Sequence, residues 1–201
     1  MDTVAGIETE LKWALDPAAY ARLGRALAHA YGPGERLVQR NRFLDSADLR
    51  LRRAKLNLRL RLENGALMMT CKRKRADAHD GLHQNDEWEC RLDPALWQQR
   101  RRGLDPAALP LPEPHRAALA GARLADHGGF ANLRRVWRVE GDLLCLDRTR
   151  FADRIDHELE IETAAPARAR TRWAERLAAW GVAWAPQPAT KFARFLALAA
   201  R

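Results

Sequence analysis

Several stretches of this chain carry charge at every second position. Glu8, Glu10 and Lys12 alternate with Ile7, Thr9 and Leu11, and Glu158, Glu160 and Glu162 alternate with Leu159 and Ile161. Arg59 and Arg61 lie among Leu58, Leu60 and Leu62; Lys72 and Lys74 form another basic pair, and Glu87 and Glu89 another acidic one. On an extended chain residues i and i+2 share a face, so each row projects in one direction. Carboxylate rows offer hard oxygen ligands to a divalent ion such as Mg²⁺, which typically joins carboxylates to substrate phosphates. Arginine offers a two-pronged fork to phosphate oxygens, and lysine a point charge. Acidic rows alone would suggest a metal site and basic rows alone nucleic acid. The two together suggest a metal-bound polyphosphate.

For any one strand, a charged row is most simply the solvated outer face of a sandwich. Five like-charged rows in one chain strain that explanation, because side chains of one sign repel without compensation. Acidic rows set against basic rows inside a closed barrel would relieve it, leaving the leucines, valines and tryptophans to pack outward against helices. The elements needed for this are legible. Residues 7–13 read as a strand, and Asp16-Pro17 as the cap and first residue of a helix ending near Gly32. Strands follow at about 35–44 and 56–63, with a turn or short helix over 47–54. Asn64-Gly65 between two alternating runs is a strong hairpin signal, leading into a strand at about 66–74. A strand over 82–91 precedes a helix capped by Asp93-Pro94. The stretch 103–128, rich in proline, alanine and glycine, predicts only a helix after Pro114. Strands at about 131–139, 143–151 and 155–163 turn at Gly141 and Asp153; helices open at Pro166 and, capped by Thr190, at Lys191. Consecutive hairpins predict an antiparallel sheet or closed barrel with peripheral helices.

Composition narrows the chemistry. The 201 residues, 47% hydrophobic and 30% charged, suit one soluble domain with a substantial core. A formal net charge of +9 invites an anionic partner, although the excess of arginine and alanine also fits a GC-rich genome. No apolar run reaches the ~20 residues of a membrane helix. Met1-Asp2-Thr3-Val4 shows no basic-then-apolar leader, so a cytoplasmic protein with no membrane partner is expected. Ser46, the single serine, lacks a nucleophile elbow. No glycine is followed directly by lysine, which excludes a Walker loop, and no Gly-x-Gly-x-x-Gly follows a strand. His29, His79, His83, His115, His127 and His157 are scattered, and Cys71, Cys90 and Cys145 show no metal or disulfide spacing. Several of the seven tryptophans fall on helices or opposite the charged rows, which argues against an RNA-stacking face.

These residues carry a family resemblance. Glu8-Thr9-Glu10-Leu11-Lys12 matches the Glu-x-Glu-x-Lys signature of the CYTH superfamily, the triphosphate tunnel metalloenzymes. The rest follows in family order. Gln39 to Ser46 (QRNRFLDS) resembles the second strand, with Ser46 where threonine is usual, and Leu49 to Arg61 the segment leading into paired arginines. Thr70-Cys71-Lys72, Glu87 with Glu89, Phe130 to Arg134, Leu146-Asp147, Glu158 to Glu162 and Thr190-Lys191-Phe192 resemble the later motifs. The chain is most similar to the plant-type tripolyphosphatase branch.

The resemblance implies one α+β domain over residues 1–201, a closed antiparallel eight-stranded barrel with peripheral helices. It also implies a Mg²⁺- or Mn²⁺-dependent phosphohydrolase acting on a small molecule that carries a triphosphate. By position, Lys12, Arg59, Arg61, Lys72, Arg134 and Lys191 would bind phosphates, and Glu8, Glu10, Asp147, Glu158 and Glu160 the metal. Glu8, Glu10, Lys12 and Glu160 would be catalytic, while Glu87, Glu89 and Glu162 are assigned to metal, water or the barrel interior. Arg148 follows Asp147 where the similar branch often has an acidic residue, and Lys74 lies outside the motif core. Within the family, thiamine-triphosphatase and class IV adenylyl cyclase stay open; outside it, an RNA- or polyphosphate-binding module. If the strand facing is right, Arg59→Ala and Arg61→Ala each weaken triphosphate binding, whereas Arg52→Ala in the connecting segment is mild. Equal loss at Arg52 in a binding titration would overturn the facing.

Overall fold

In the computed structural model, which describes residues 3–75 and 80–199, the first charged row lies on a strand longer than its alternation predicts: β1 spans Thr3–Leu15. Asp16 then accepts the Ala19 N–H at 2.7 Å, and Pro17 takes the first position of α1 (Pro17–Tyr31), where a missing N–H costs nothing. Gly32, at φ 84°, ends the helix with its N–H on the Ala28 carbonyl. β2 (Glu35–Ser46), the short α2 (Arg50–Arg53), β3 (Leu56–Glu63) and β4 (Ala66–Lys74) follow, close to the expected bounds. Asn64 and Gly65 both take positive φ (46° and 91°), as a two-residue hairpin joining right-twisted strands requires.

β5 (Leu82–Leu92) leads to α3 (Leu96–Gln99), with the Asp93 carboxylate on the Ala95 N–H at 2.8 Å. Two sequence expectations shift in the next stretch. α4 (Glu113–Ala118) starts one residue before Pro114, which fits the first helical turn, and β6 spans Leu124–Val139, seven residues earlier than predicted. Gly128-Gly129 reads as loop in sequence, yet glycine is what the strand requires there. A Cβ on Gly129 would sit 1.9 Å from the Asn41 carbonyl oxygen. β7 (Asp142–Arg150), β8 (Ile155–Glu162), α5 (Pro166–Ala179) and α6 (Lys191–Ala199) complete the chain. The Thr190 hydroxyl accepts the Ala193 N–H at 3.1 Å.

The strands close into an eight-stranded antiparallel barrel in the order β1-β5-β4-β3-β2-β6-β7-β8, the architecture expected from the charged rows. Two compact units can be distinguished. One comprises the start of β1 through Glu8, Gln39–Arg75 and Asn85–Phe130; the other comprises Thr9–Val38, the stretch leading to Gln84, and the chain from Ala131 onward. Each has its own apolar cluster on one strand face. In the first, Leu58, Leu60, Leu67, Met69 and Cys71 pack with Leu51, Leu109, Leu111 and Leu119. In the second, Leu11, Trp13, Leu144, Leu146, Leu159 and Ile161 pack with Leu23 and Leu27 of α1 and Trp173 and Leu177 of α5. The alternate residues of these strands are the charged rows, so period two puts them on the opposite face. No helix among the described residues is long and apolar enough to cross a membrane.

Gly129→Ala forces backbone to move, and overpacking of this kind costs about 1–3 kcal/mol. In a chain of this size that lowers the melting temperature by about 2–12 °C. Gly6→Ala, which meets nothing within 4 Å, serves as the control and leaves melting unchanged. Equal melting of the two variants in a thermal scan would contradict the close approach at Gly129.

Candidate active site

In the second unit, strand register pairs opposite charges. Lys12 of β1 lies opposite Glu160 of β8; Arg134 of β6 lies opposite Asp147 of β7, which lies opposite Glu158 of β8. Residues directly opposite on one face are within side-chain reach. Arg134 grips Asp147 with two hydrogen bonds of 2.9 and 2.7 Å and also donates to Glu160. Lys12 donates to Glu160 and stands 2.9 Å from Glu10. Lys191, the first residue of α6, donates to Asp147 at 2.7 Å and Glu160 at 2.9 Å and also pairs with Glu158. The cap at Thr190 sets where that helix begins, and so where Lys191 emerges.

Glu10, Lys12, Asp147, Glu158, Glu160 and Lys191 are buried, and the Arg134 side chain is 13% exposed. Burial alone would lower the pKa of Lys12, but Glu10, Glu160 and Glu158 hold it well above its ordinary value. Burial would likewise lower Lys191, which Asp147 and Glu158 raise, and Arg134, which Asp147 raises. The carboxylates mirror this. Burial pushes Glu160 and Asp147 up, but Lys12 and Lys191 bring Glu160 well below its usual range, and Arg134 and Lys191 bring Asp147 down. Lys12, Arg134, Lys191, Asp147 and Glu160 are thus held in their charged forms.

The first unit holds a second network. Arg59 donates to the Thr70 hydroxyl at 3.1 Å; Thr70 and Arg61 each donate to Glu89, at 2.9 and 2.8 Å. Lys72 bonds to Glu8 at 2.5 Å and stands 2.8 Å from Glu87, and Asn85 donates to Glu8 at 3.1 Å. Burial, with Arg61 alongside, lowers the Arg59 pKa. Burial raises that of Glu87, and Glu8 adds to the rise while Lys72 opposes it.

Three carboxylates, Asp147, Glu158 and Glu160, each bring an oxygen within 4.8 Å of the others. Glu158 is 1% exposed, and its two carboxylate oxygens face cations, Oε1 paired with Lys191 and Oε2 with Arg194. An all-oxygen, anionic donor set suits Mg²⁺ or Mn²⁺ and not a soft metal. Glu10 joins this set through Lys12, whereas Glu8 lies with Lys72 in the first network. Glu162 stands 3.9 Å from Arg134. Arg148 is exposed on the face opposite Asp147, and Lys74 is exposed too. His83, His115 and His127 bond to the carbonyls of Gln187, Asn57 and Ser46, in keeping with ordinary roles; His79 lies outside the described residues. The three cysteines are buried and free.

Arg194 was not among the expected site residues. It donates to Asp156 at 2.7 Å and to Glu158 at 2.5 Å. It follows Lys191 by three positions, so one helix face presents both, and that spacing was available in the sequence.

The CYTH domain family model matches residues 6–195. The chain belongs to the CYTH family. Among solved structures it is similar to HpAC1 from Hippeastrum, a candidate adenylyl cyclase described as revealing a dominant triphosphatase activity. That match has 28% identity and a TM-score of 0.81 and covers 94% of this chain and 95% of that one. A candidate adenylate cyclase from Bacillus halodurans shares the fold at 22% identity and TM-score 0.71, covering 97% and 99%. The PH1819 protein of Pyrococcus horikoshii does so at 15% and 0.63, covering 95% and 99%. No curated protein matches the sequence significantly.

The pKa directions set a stability window for this CYTH protein. Glu160 and Asp147, depressed in the fold, stabilise it above the ordinary carboxylate pKa of about 4, and that contribution is lost as pH falls through their folded values. Lys12 and Lys191, raised in the fold, stabilise it below about 10.4 and lose the contribution as pH rises through theirs. Melting temperature against pH should therefore be flat near neutrality and fall on both flanks. Glu160→Gln strands buried cations, a loss of about 3–5 kcal/mol. Melting falls by about 6–20 °C at neutral pH, since 1 kcal/mol is worth roughly 2–4 °C in a chain of this size. A variant melting with the wild type would show that the network contributes nothing to stability.

Proposed function

We propose that this protein is a metal-dependent phosphohydrolase that cleaves the terminal phosphoanhydride of inorganic tripolyphosphate or a related triphosphate. The observation that carries this reading is the buried Asp147–Glu158–Glu160 trio, interlocked with Lys12, Arg134 and Lys191. Each carboxylate there is neutralised by a cation. A complex of divalent ion and triphosphate offers both sets new partners at once, carboxylates to the ion and ammonium or guanidinium groups to phosphate oxygens. Free phosphate or free metal would satisfy only half of them.

In this reading Glu8, Glu10, Asp147, Glu158 and Glu160 hold Mg²⁺ or Mn²⁺, and Lys12, Arg59, Arg61, Lys72, Arg134 and Lys191 hold the phosphates. Glu8, Glu10, Lys12 and Glu160 are the catalytic set. When bound, the ion supplies Lewis-acid polarisation of phosphate oxygens. The basic residues offset negative charge as the P–O bond breaks; positioning and charge neutralisation supply most of the catalysis in phosphoryl transfer. Water adds across the anhydride, giving pyrophosphate and orthophosphate from tripolyphosphate. We read residues 1–201 as one catalytic domain. The activity described for HpAC1, at 28% identity, supports triphosphate hydrolysis over cyclisation. The burial of Trp13, Trp137 and Trp173 in the apolar cluster disfavours an RNA-stacking surface.

The test is a panel of tripolyphosphate, thiamine triphosphate, ATP and pyrophosphate, each with Mg²⁺, with Mn²⁺ and in EDTA, measuring released phosphate and cyclic AMP. Phosphate release from tripolyphosphate with either ion is expected. Removing the ion should lower it on the order of a hundred- to a thousand-fold, as for loss of a main charge-stabilising group. Undiminished turnover in EDTA would remove the metal from the mechanism, and cyclic AMP as the main product from ATP would replace hydrolase with cyclase.

A further inference from the structure

We propose that Asn41 is a further substrate-binding residue, its side-chain amide donating a hydrogen bond to a phosphate oxygen of the triphosphate; this rests on the triphosphatase reading above. Along β2, Gln39, Asn41 and Phe43 are buried on one face, while Arg40 on the other is exposed. Register places Asn41 directly opposite Arg61 and Phe43 opposite Arg59. Asn41 therefore shares the face that carries the paired arginines.

Its amide is an exception among its neighbours. Asn41 is 2% exposed, and neither Nδ2 nor Oδ1 has a hydrogen-bond partner among the described residues. Gln39, two positions earlier, donates to Glu63 at 2.6 Å. A buried amide without partners loses its hydration uncompensated, and buried polar groups are normally satisfied. Exchanging the oxygen and nitrogen by rotation does not help, because both ends lack a partner. The carboxylates of this network are already engaged: Glu89 by Arg61 and Thr70, Glu63 by Gln39. The neighbouring side chains thus leave the amide open to an acceptor brought by a ligand.

The chemistry selects an anion rich in oxygen. An amide NH₂ is a neutral donor, so it strengthens phosphate binding without needing a counter-carboxylate in the empty protein. That difference explains why the neighbouring arginines have resting partners and Asn41 has none. The amide oxygen, in turn, suits a water or a protonated phosphate oxygen. Arg59 also leaves its Nε without a hydrogen bond among the described residues, so the face has further donor capacity beside Asn41.

The experiment compares wild type, Asn41→Leu and Asn41→Asp by melting without ligand and by initial rates on tripolyphosphate with Mg²⁺. Asn41→Leu should melt at or above the wild-type temperature, since it removes an unpaired polar group from burial. Its KM should rise about ten- to a hundredfold, the scale of one hydrogen bond to a charged group. Asn41→Asp, equal in size but anionic, should raise KM further. A folded Asn41→Leu protein with KM within twofold of wild type would overturn the assignment and leave Asn41 as a group satisfied by buried water. If Asn41→Leu does not fold, the Asn41 side-chain NH₂ resonance of the wild-type protein decides: it shifts on titration with tripolyphosphate, and an unmoved resonance overturns the proposal. Wild-type protein that neither binds nor hydrolyses tripolyphosphate removes both the triphosphatase reading and this assignment. Normal wild-type turnover with an indifferent Asn41→Leu removes this one alone.

Discussion

Charge that has left water must be met by opposite charge, and this constraint organises the barrel. An unpaired buried carboxylate or ammonium carries a penalty of several kcal/mol, while a well-matched pair largely offsets it. Asp147, Glu158 and Glu160 meet Lys12, Arg134, Lys191 and Arg194 in one unit, and Glu8, Glu87 and Glu89 meet Lys72 and Arg61 in the other. Such networks contribute little net stability, since replacement by packed hydrophobic residues is often neutral or better.

The folding energy comes from the other face of the same strands. Burying a leucine contributes about 1.5–3 kcal/mol, and both apolar clusters are built largely of leucine and tryptophan. Because side chains alternate across a strand, one backbone serves both purposes. Leu11 and Trp13 pack in the apolar cluster while Glu10 and Lys12 pair on the opposite side; Leu159 and Ile161 do the same beside Glu158 and Glu160. α6 extends this economy to a helix, burying Phe195 beside the charged Lys191 and Arg194.

Chemically, the resting ion pairs make a site of exchangeable partners. In the function proposed above, a group held in its charged form by a protein partner, as Glu160 and Lys12 are, exchanges that partner for a metal ion or a phosphate. Membership of the CYTH family agrees with such a site, and the similarity to HpAC1 extends along nearly the whole of both chains.

Local sequence determined much of this. The period-two rows assigned facing, Asn64-Gly65 determined a hairpin, and Asp16-Pro17 and Thr190 placed helix starts, because each depends on residues within a few positions of one another. Tertiary structure decided partnership. Glu8 and Glu10 are indistinguishable by pattern, yet one bonds Lys72 and the other sits against Lys12. Lys12 reaches Glu160 across 148 positions, a pairing set by strand register. The early start of β6 depended on the backbone approach of Gly129 to Asn41, and the isolation of the Asn41 amide on which neighbours were already engaged. Periodicity can say which way a side chain points; only the closed barrel, which brings distant strands into register, says what it meets.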